Sequence, residues 1–368
     1  MDATSQELPY WLALNRAPRI GPVAFGALLR AFDSPRQVFE AGSATLRECG
    51  LPAAATEFLA RPDWRAVEAD LAWLAEPGAT VLTLSDADYP ALLREMADPP
   101  PLLYVLGDTA SLDVPQLAVV GSRRPTRTGE ELAHGFGAEL VRAGLAVTSG
   151  LALGIDAAAH RGALEAGGPT VAVAGTGLDR VYPARNRELA REIAGGGALV
   201  SEFAPGTRPT PGNFPRRNRV ISGLSRGVLV VEAALESGSL ITARFALEQG
   251  REVFALPGSV YNPQAKGCHA LIRDGAKLVE SVAHVLEELG GWESVGAAPV
   301  APGAPRGAVE LDAEQRKVLD CIGFEPTAID VVVERSGLTA ETVCSILLVL
   351  ELQGLVVSGT GGQYCRAT

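Results

Sequence analysis

At 368 residues the chain exceeds one ordinary domain, so two or three compact units are expected. It is 47% hydrophobic and 20% charged, with no low-complexity tract and no apolar run of the about 18 residues a membrane span needs. The net charge of −11 excludes a uniformly basic nucleic-acid coat but not a local anion site, because residues 115–285 carry 19 Arg and Lys against 15 Asp and Glu while the rest carry 13 against 28.

The N-terminal MDATSQELPY lacks the basic-then-apolar pattern of a secretory signal. Cys49, Cys268, Cys321, Cys344 and Cys365 are scattered without a C-x-x-C pair, which argues against a zinc site or a disulfide framework and suits a reducing compartment. A cytoplasmic protein without a metal is expected.

Residues 1–78 read as short helices broken by Gly and Pro. Within them APRIGPVAFGALLRAFDSP resembles a helix-hairpin-helix or SAM-like unit, with Gly21 in a tight turn. Such hairpins can hold DNA phosphates, but this region is acidic, which favours plain helical packing. The strand ATVLTL (79–84) follows, and Pro99, Pro100 and Pro101 end a helix before a second strand, LLYVLG.

From residue 116 the runs QLAVVG, LAVTSG, TVAVAGT, ALVSE, GVLVVEA and EVFALP alternate with helical stretches. Continuous apolar strands of this kind belong to a parallel sheet covered on both faces. The expected fold is therefore α/β, a Rossmann-like doubly wound and mostly parallel sheet over 79–290. GWESVGAAPVAPGAPRG then marks a linker, 291–309. Residues 310–368 carry three helix signals and two short strands around a Gly-rich turn, the pattern of a winged helix. Its third helix, TAETVCSILLVLELQG, has no Lys or Arg, and the segment counts 4 basic against 9 acidic residues, so a protein-contact or packing role is expected rather than DNA reading.

Four constellations carry chemistry. In AVVGSRRPTRTGEE a strand ends at Gly121, a polar turn follows and a helix starts near Thr126–Thr128; backbone N–H groups, Ser122 and the guanidinium groups of Arg123, Arg124 and Arg127 would form an anion site. Solvated arginines on a plain turn are the alternative, and three arginines within five residues favour phosphate. The pattern is not G-x-G-x-x-G, so a dinucleotide is not indicated. In SGLALGIDAAAH, Gly150 and Gly154 permit close backbone approach, and Asp156 and His160, four apart, could hydrogen bond; no nucleophile accompanies them, and a structural pair is favoured.

In NFPRRNRVISGLS, Arg216, Arg217 and Arg219 cluster with Asn218 beside Phe214, suited to single-stranded nucleic acid if the ring is free to stack on a base, or else a basic turn with Phe214 in the core. In VVEAALESGSLITARFALEQG, Ser237, Ser239 and Thr242 could cap a helix or donate to an anion. There Glu232 and Glu236 could act as acid and base or orient arginines. Finally KGCHALIRDGA puts Lys266, His269 and Arg273 near the same sheet edge, where a packing helix with a basic face is the simplest reading.

Taken in order, GSRRPTRTG, SGLALGIDAAAH, GTGLDRVYPARN, FPRRNRVISGLSRGVLVVEA, SGSLITARFA, ALPG and KGCHALIRDGA resemble the bacterial DNA-processing protein A (DprA, or Smf) family over roughly residues 80–280. The resemblance implies a non-enzymatic protein, without a cofactor, that binds and protects incoming single-stranded DNA and loads RecA on it during natural transformation and recombination. It also implies a homodimer formed through the core. The family's DNA pocket maps onto Gly121, Ser122 and Arg123, the FPRRNR cluster and Lys266, and Arg124, Arg185, Ser237 and Ser239 join them as candidate DNA contacts. Where relatives can carry a basic residue two places before the Asn of YPARN, this chain has Ala184, with Arg185 beside it. Two other functions fit the sequence less well: an enzyme acting on nucleoside monophosphates, whose Pro-Gly-Gly-x-Gly-Thr pattern reads ESGSLITA here, and a ligand-sensing transcription factor, which the third helix without Lys or Arg disfavours.

Overall fold

The computed structural model describes residues 3–290, 311–323, 327–359 and 361–366; the linker expected at 291–309 lies outside them. The chain divides into two compact units, residues 1–295 and 296–368.

The first unit opens with six helices, α1 (Ala3–Asn15), α2 (Pro22–Ala31), α3 (Pro35–Glu40), α4 (Ser43–Glu48), α5 (Ala53–Ala60) and α6 (Trp64–Trp73). Gly21 takes the extended N-cap position and Pro22 the first helical turn of α2, where a missing N–H costs nothing. Trp11 stacks on Phe25, with ring centroids 5.4 Å apart. The apolar cluster around Trp11, Leu28 and Val38 continues without a break into Leu102, Tyr104, Leu189 and Ile193 of the sheet layer. Trp73 meets Tyr104 edge-on at 5.9 Å, and Arg16 makes a two-pronged salt bridge to the buried Asp70. Helices and sheet thus share one core.

The sheet has nine strands: β1 (Ala79–Thr83), β2 (Leu102–Gly107), β3 (Gln116–Val120), β4 (Ala146–Ser149), β5 (Thr170–Val173), β6 (Ala198–Ser201), β7 (Gly227–Val230), β8 (Glu252–Ala255) and β9 (Lys277–Leu278). Their order is β1-β2-β6-β5-β4-β3-β7-β8-β9. The seven from β3 onward run parallel, and β1 and β2 add an antiparallel edge. The mostly parallel doubly wound sheet read from the sequence is present.

Between the strands lie α7 (Ala91–Arg94), α8 (Arg127–Arg142), α9 (Ile155–Glu165), α10 (Arg187–Gly196), α11 (Asn213–Leu224), α12 (Ser239–Glu248), α13 (Lys266–Arg273) and α14 (Val282–Glu288). Alternation along each strand divides the core. Leu117 and Val119 of β3 pack with Phe136 of α8 and Ala159 of α9 on one face. Ala118 and Val120 pack with Ile221 of α11 and Ala243 of α12 on the other. From β3 the chain winds outward through β4, β5 and β6, then returns to β7 on the opposite side of β3. That reversal opens a crevice at the carboxyl ends of β3 and β7, the place where such sheets bind ligands.

The second unit contains α15 (Ala313–Cys321), β10 (Thr327–Ala328), α16 (Ile329–Ser336), α17 (Ala340–Leu352), β11 (Val356–Gly359) and β12 (Gln363–Arg366), with strand order β10-β12-β11. Val318, Val332, Val343 and Leu347 form its core. Three helices and a small antiparallel sheet make the expected winged helix. No helix among the described residues is long and apolar enough to cross a membrane.

Candidate nucleic-acid interface

A cavity of about 760 Å³ occupies the crevice at the ends of β3 and β7. Its walls come from the turn after β3, the loop after β4, helix α11 and the segment between β7 and α12. Gly121, Ser122, Arg123, Arg124, Phe214, Arg217, Asn218, Ser237 and Ser239 all line it. Motifs separated by more than a hundred residues in sequence meet there because the switch point juxtaposes their strand ends.

The turn after β3 is held rigidly. Thr126 caps α8 through its Oγ1, which accepts from the Gly129 N–H at 3.0 Å. The Glu232 carboxylate, just past β7, accepts from the Thr126 N–H at 2.9 Å and the Thr126 hydroxyl at 2.6 Å. The Glu232 backbone carbonyl accepts the Ser122 N–H at 2.7 Å. Glu232 also fills the space that a Cβ at Gly129 would take. Gly154, at φ 78°, lets the start of α9 press against Ser122 and Pro125. Held from both sides, the turn leaves Arg123 and Arg124 exposed at the cavity rim. Glu232 is thereby engaged as a strap on this turn.

Opposite lies a stack of side chains. Phe214 is half-buried, Tyr182 lies 5.4 Å away from it, and the Arg123 guanidinium carbon sits 5.9 Å from its ring centroid. Phe214 is therefore a wall of the cavity and not part of the core. Tyr182 was not singled out in the sequence; its signal was an aromatic preceding Pro183 in the loop after β5, at the carboxyl edge of the sheet. A ring pair with a guanidinium offers a base a stacking surface next to a phosphate ligand.

The cluster at 216–219 separates because it is helical. At 100° per residue, α11 turns Phe214, Arg217, Asn218 and Ile221 to the cavity and Arg216 and Arg219 away from it. Arg219 is buried and pairs at 2.7 Å with the buried carboxylate of Glu202, while also donating to the Asp98 carbonyl. Arg216 reaches the same carboxylate at 2.8 Å and lies over Phe203. Neither lines the cavity; both are engaged by the Glu202 carboxylate. Arg185 and Lys266 are exposed and also lie outside the lining.

Arg217 is the deepest cation. It donates to the Gly150 carbonyl at 2.6 Å and to the Val173 carbonyl, and its Nε has no partner. Burial lowers its pKa to about 10, a cost that nearby Asp156 offsets. Asp156 is buried too; desolvation raises its pKa, and the Arg217 charge and backbone N–H groups pull it down. Asp156 accepts from the N–H groups of Gly150 and Ala152. Asn186, the Asn of YPARN, donates from Nδ2 to the carbonyls of Leu151 and Ala152. Between them they fix a loop in which Leu151 takes φ 58°. His160 does not bond Asp156: its Nδ1 contacts Thr170 Oγ1 at 2.7 Å, and that hydroxyl donates to the Val147 carbonyl, so Nδ1 carries the proton. Each is held by other partners, and the pair that the spacing allowed does not form.

At the remaining wall Ser237 and Ser239 share a hydroxyl contact of 2.7 Å at the start of α12, and Glu236 is exposed beside them. Among the described residues no group of three or more His, Cys, Asp or Glu is placed to hold a metal.

Fold and crevice together define a class: a Rossmann-like α/β protein with a cationic, aromatic-walled cavity at the switch point of its sheet. The family model for DNA recombination-mediator protein A matches residues 80–290, and the DprA winged helix domain matches 302–362. The chain is 44% identical to Protein Smf of Escherichia coli (strain K12), over 85% of this chain and 83% of that one. The DNA processing protein A structure from Streptococcus pneumoniae superposes with a TM-score of 0.68 at 37% identity, covering 76% of this chain and 97% of that one. That from Helicobacter pylori, described for its unique single-stranded DNA binding mode, gives 0.52 at 32%, covering 57% and 95%. The chain belongs to the DprA/Smf family, and so to the proteins of DNA processing in recombination.

Proposed function

We propose that the chain is a single-stranded DNA-binding recombination mediator and not an enzyme, with the crevice between β3, β7 and α11 as its DNA site. The observation that carries this reading is the convergence of Arg123, Arg124 and Arg217 with the Phe214–Tyr182 wall in one cavity. Cations that hold phosphates beside a ring that stacks on a base bind single strands with little sequence preference. The Helicobacter pylori relative, with its single-stranded DNA binding mode, supports the same site class. As the family resemblance implies, the protein acts as a cytoplasmic homodimer, protects incoming strands and loads RecA on them in transformation and recombination. The chain divides this function among a helical domain over 1–78, the DNA-binding core over 79–290, a linker over 291–309 and the winged helix over 310–368.

The test is fluorescence anisotropy of a labelled oligo-dT over a salt series, with single-stranded and duplex competitors. Binding that weakens with salt, at a log–log slope of roughly −0.7 per phosphate contacted, and that single strands displace better than duplex is the expected result. Absence of binding at low salt would overturn the reading.

A further inference from the structure

The third helix of the winged-helix unit is apolar on both sides. Val343, Ile346, Leu347 and Leu350 of α17 are buried in the unit's core. On the opposite side Leu348 is 59% exposed, Val349 38% and Leu352 81%, with Cys344 exposed one turn before Leu348. Residues 344, 348 and 352 fall at i, i+4 and i+8, a single stripe along the helix. Glu341 and Ser345 share this outer side, and the exposed apolar stripe beside them is contact area that the unit's own core does not use.

Charge decides what the cover is. Helix α17 has no Arg or Lys; Glu341 opens the stripe and Glu351 flanks its end, and residues 310–368 carry 9 acidic against 4 basic side chains. Phosphates find no cation on this helix, so a duplex is disfavoured. A second copy pairing antiparallel would set Glu341 of one chain beside Glu351 of the other, between two acidic units. We propose that this stripe is the docking surface for an amphipathic helix of a partner protein, one with apolar residues at i, i+4 and i+7 and with Lys or Arg along its flanks. The position that reads DNA in a DNA-binding winged helix is here given over to a protein contact. The proposal does not depend on the reading of the core crevice.

The test uses the full chain and the variant L348S/L352S, with circular dichroism and the thermal unfolding midpoint as checks that both are folded. Each is titrated by calorimetry with a synthetic helical peptide carrying leucines at i, i+4 and i+7 and lysines on both flanks, and with the same peptide carrying glutamates in place of the lysines. The expected result is binding of the lysine peptide that falls by about tenfold or more in the variant, since two exposed leucines lose their cover, and weaker binding of the glutamate peptide. Three results would overturn the proposal: no binding of the lysine peptide, equal binding to both proteins, or equal binding of both peptides. A sedimentation mass that drops in the variant would assign the stripe to a second copy, and a lost duplex affinity would assign it to DNA; either also overturns it.

Discussion

Three arginines within four residues of α11 show how differently one side-chain type can be used. Arg217 faces the cavity, whereas Arg219 is buried against Glu202 on the far side of the helix. Two variants separate these uses. Arg123→Ala, at the rim, should weaken single-strand binding by roughly 1–3 kcal/mol and leave the unfolding midpoint in urea unchanged. Arg219→Ala should lower stability by roughly 3–5 kcal/mol, because it deprives a buried carboxylate of its better partner. A loss of binding without a loss of stability in Arg219→Ala would contradict this division. The same unfolding assay tests His160, whose pKa burial lowers from 6.5 to about 3. Between those values the unfolded chain holds a proton on this residue that the folded chain refuses, so stability falls as pH drops below 6.5, by roughly 1.4 kcal/mol per unit. Above 6.5 the contribution is flat. His160→Gln should show a pH dependence shallower by that amount, and an unchanged slope would place the acid sensitivity elsewhere.

Among the elements, the turn between β3 and α8 is the one on which the site depends. Its geometry rests on Glu232, which arrives from β7 and holds both the N–H and the hydroxyl of Thr126. Glu232→Ala should free the turn, raise trypsin cleavage between Arg123 and Arg124, and weaken DNA binding. Glu232→Gln, whose amide oxygen still accepts the Thr126 N–H, should recover much of both. Equal cleavage in the alanine variant and the native chain would rule out the strap. This turn was readable in advance because its parts are local: an apolar strand, a Gly, and a Thr cap followed by helix. The strand runs were equally plain, since buried parallel strands have a continuous apolar signature. The helical phase of 213–224 was not readable. Phe214, Pro215 and three arginines gave a composition without a period, and only the period separates Arg217 from Arg216 and Arg219. The Asp156–His160 pairing failed for a related reason. Four-residue spacing brings two side chains near one another, but Asp156 found backbone donors and His160 found Thr170 first. Tyr182 could be reached only through topology, because nothing local links the loop after β5 with α11.

On the scale of the whole molecule, charge divides the chain as the sequence suggested. Residues 115–285, which supply every side chain lining the cavity, carry 19 basic against 15 acidic residues, and residues 310–368 carry 4 against 9. Removing residues 310–368 should therefore leave oligo-dT affinity essentially unchanged in the anisotropy assay. A complete loss would give the acidic unit a part in DNA binding that its charge does not suggest. The placement of indole rings has an optical consequence. Trp11, Trp64 and Trp73 all belong to the N-terminal helices, the last of them edge-on to Tyr104 of β2, and none lines the cavity. None of these three touches the crevice, so the emission of Trp11 and Trp73 follows the core that the helices share with the sheet. An indole placed at Phe214 would light that wall separately, giving one molecule two reporters that distinguish occupancy from unfolding.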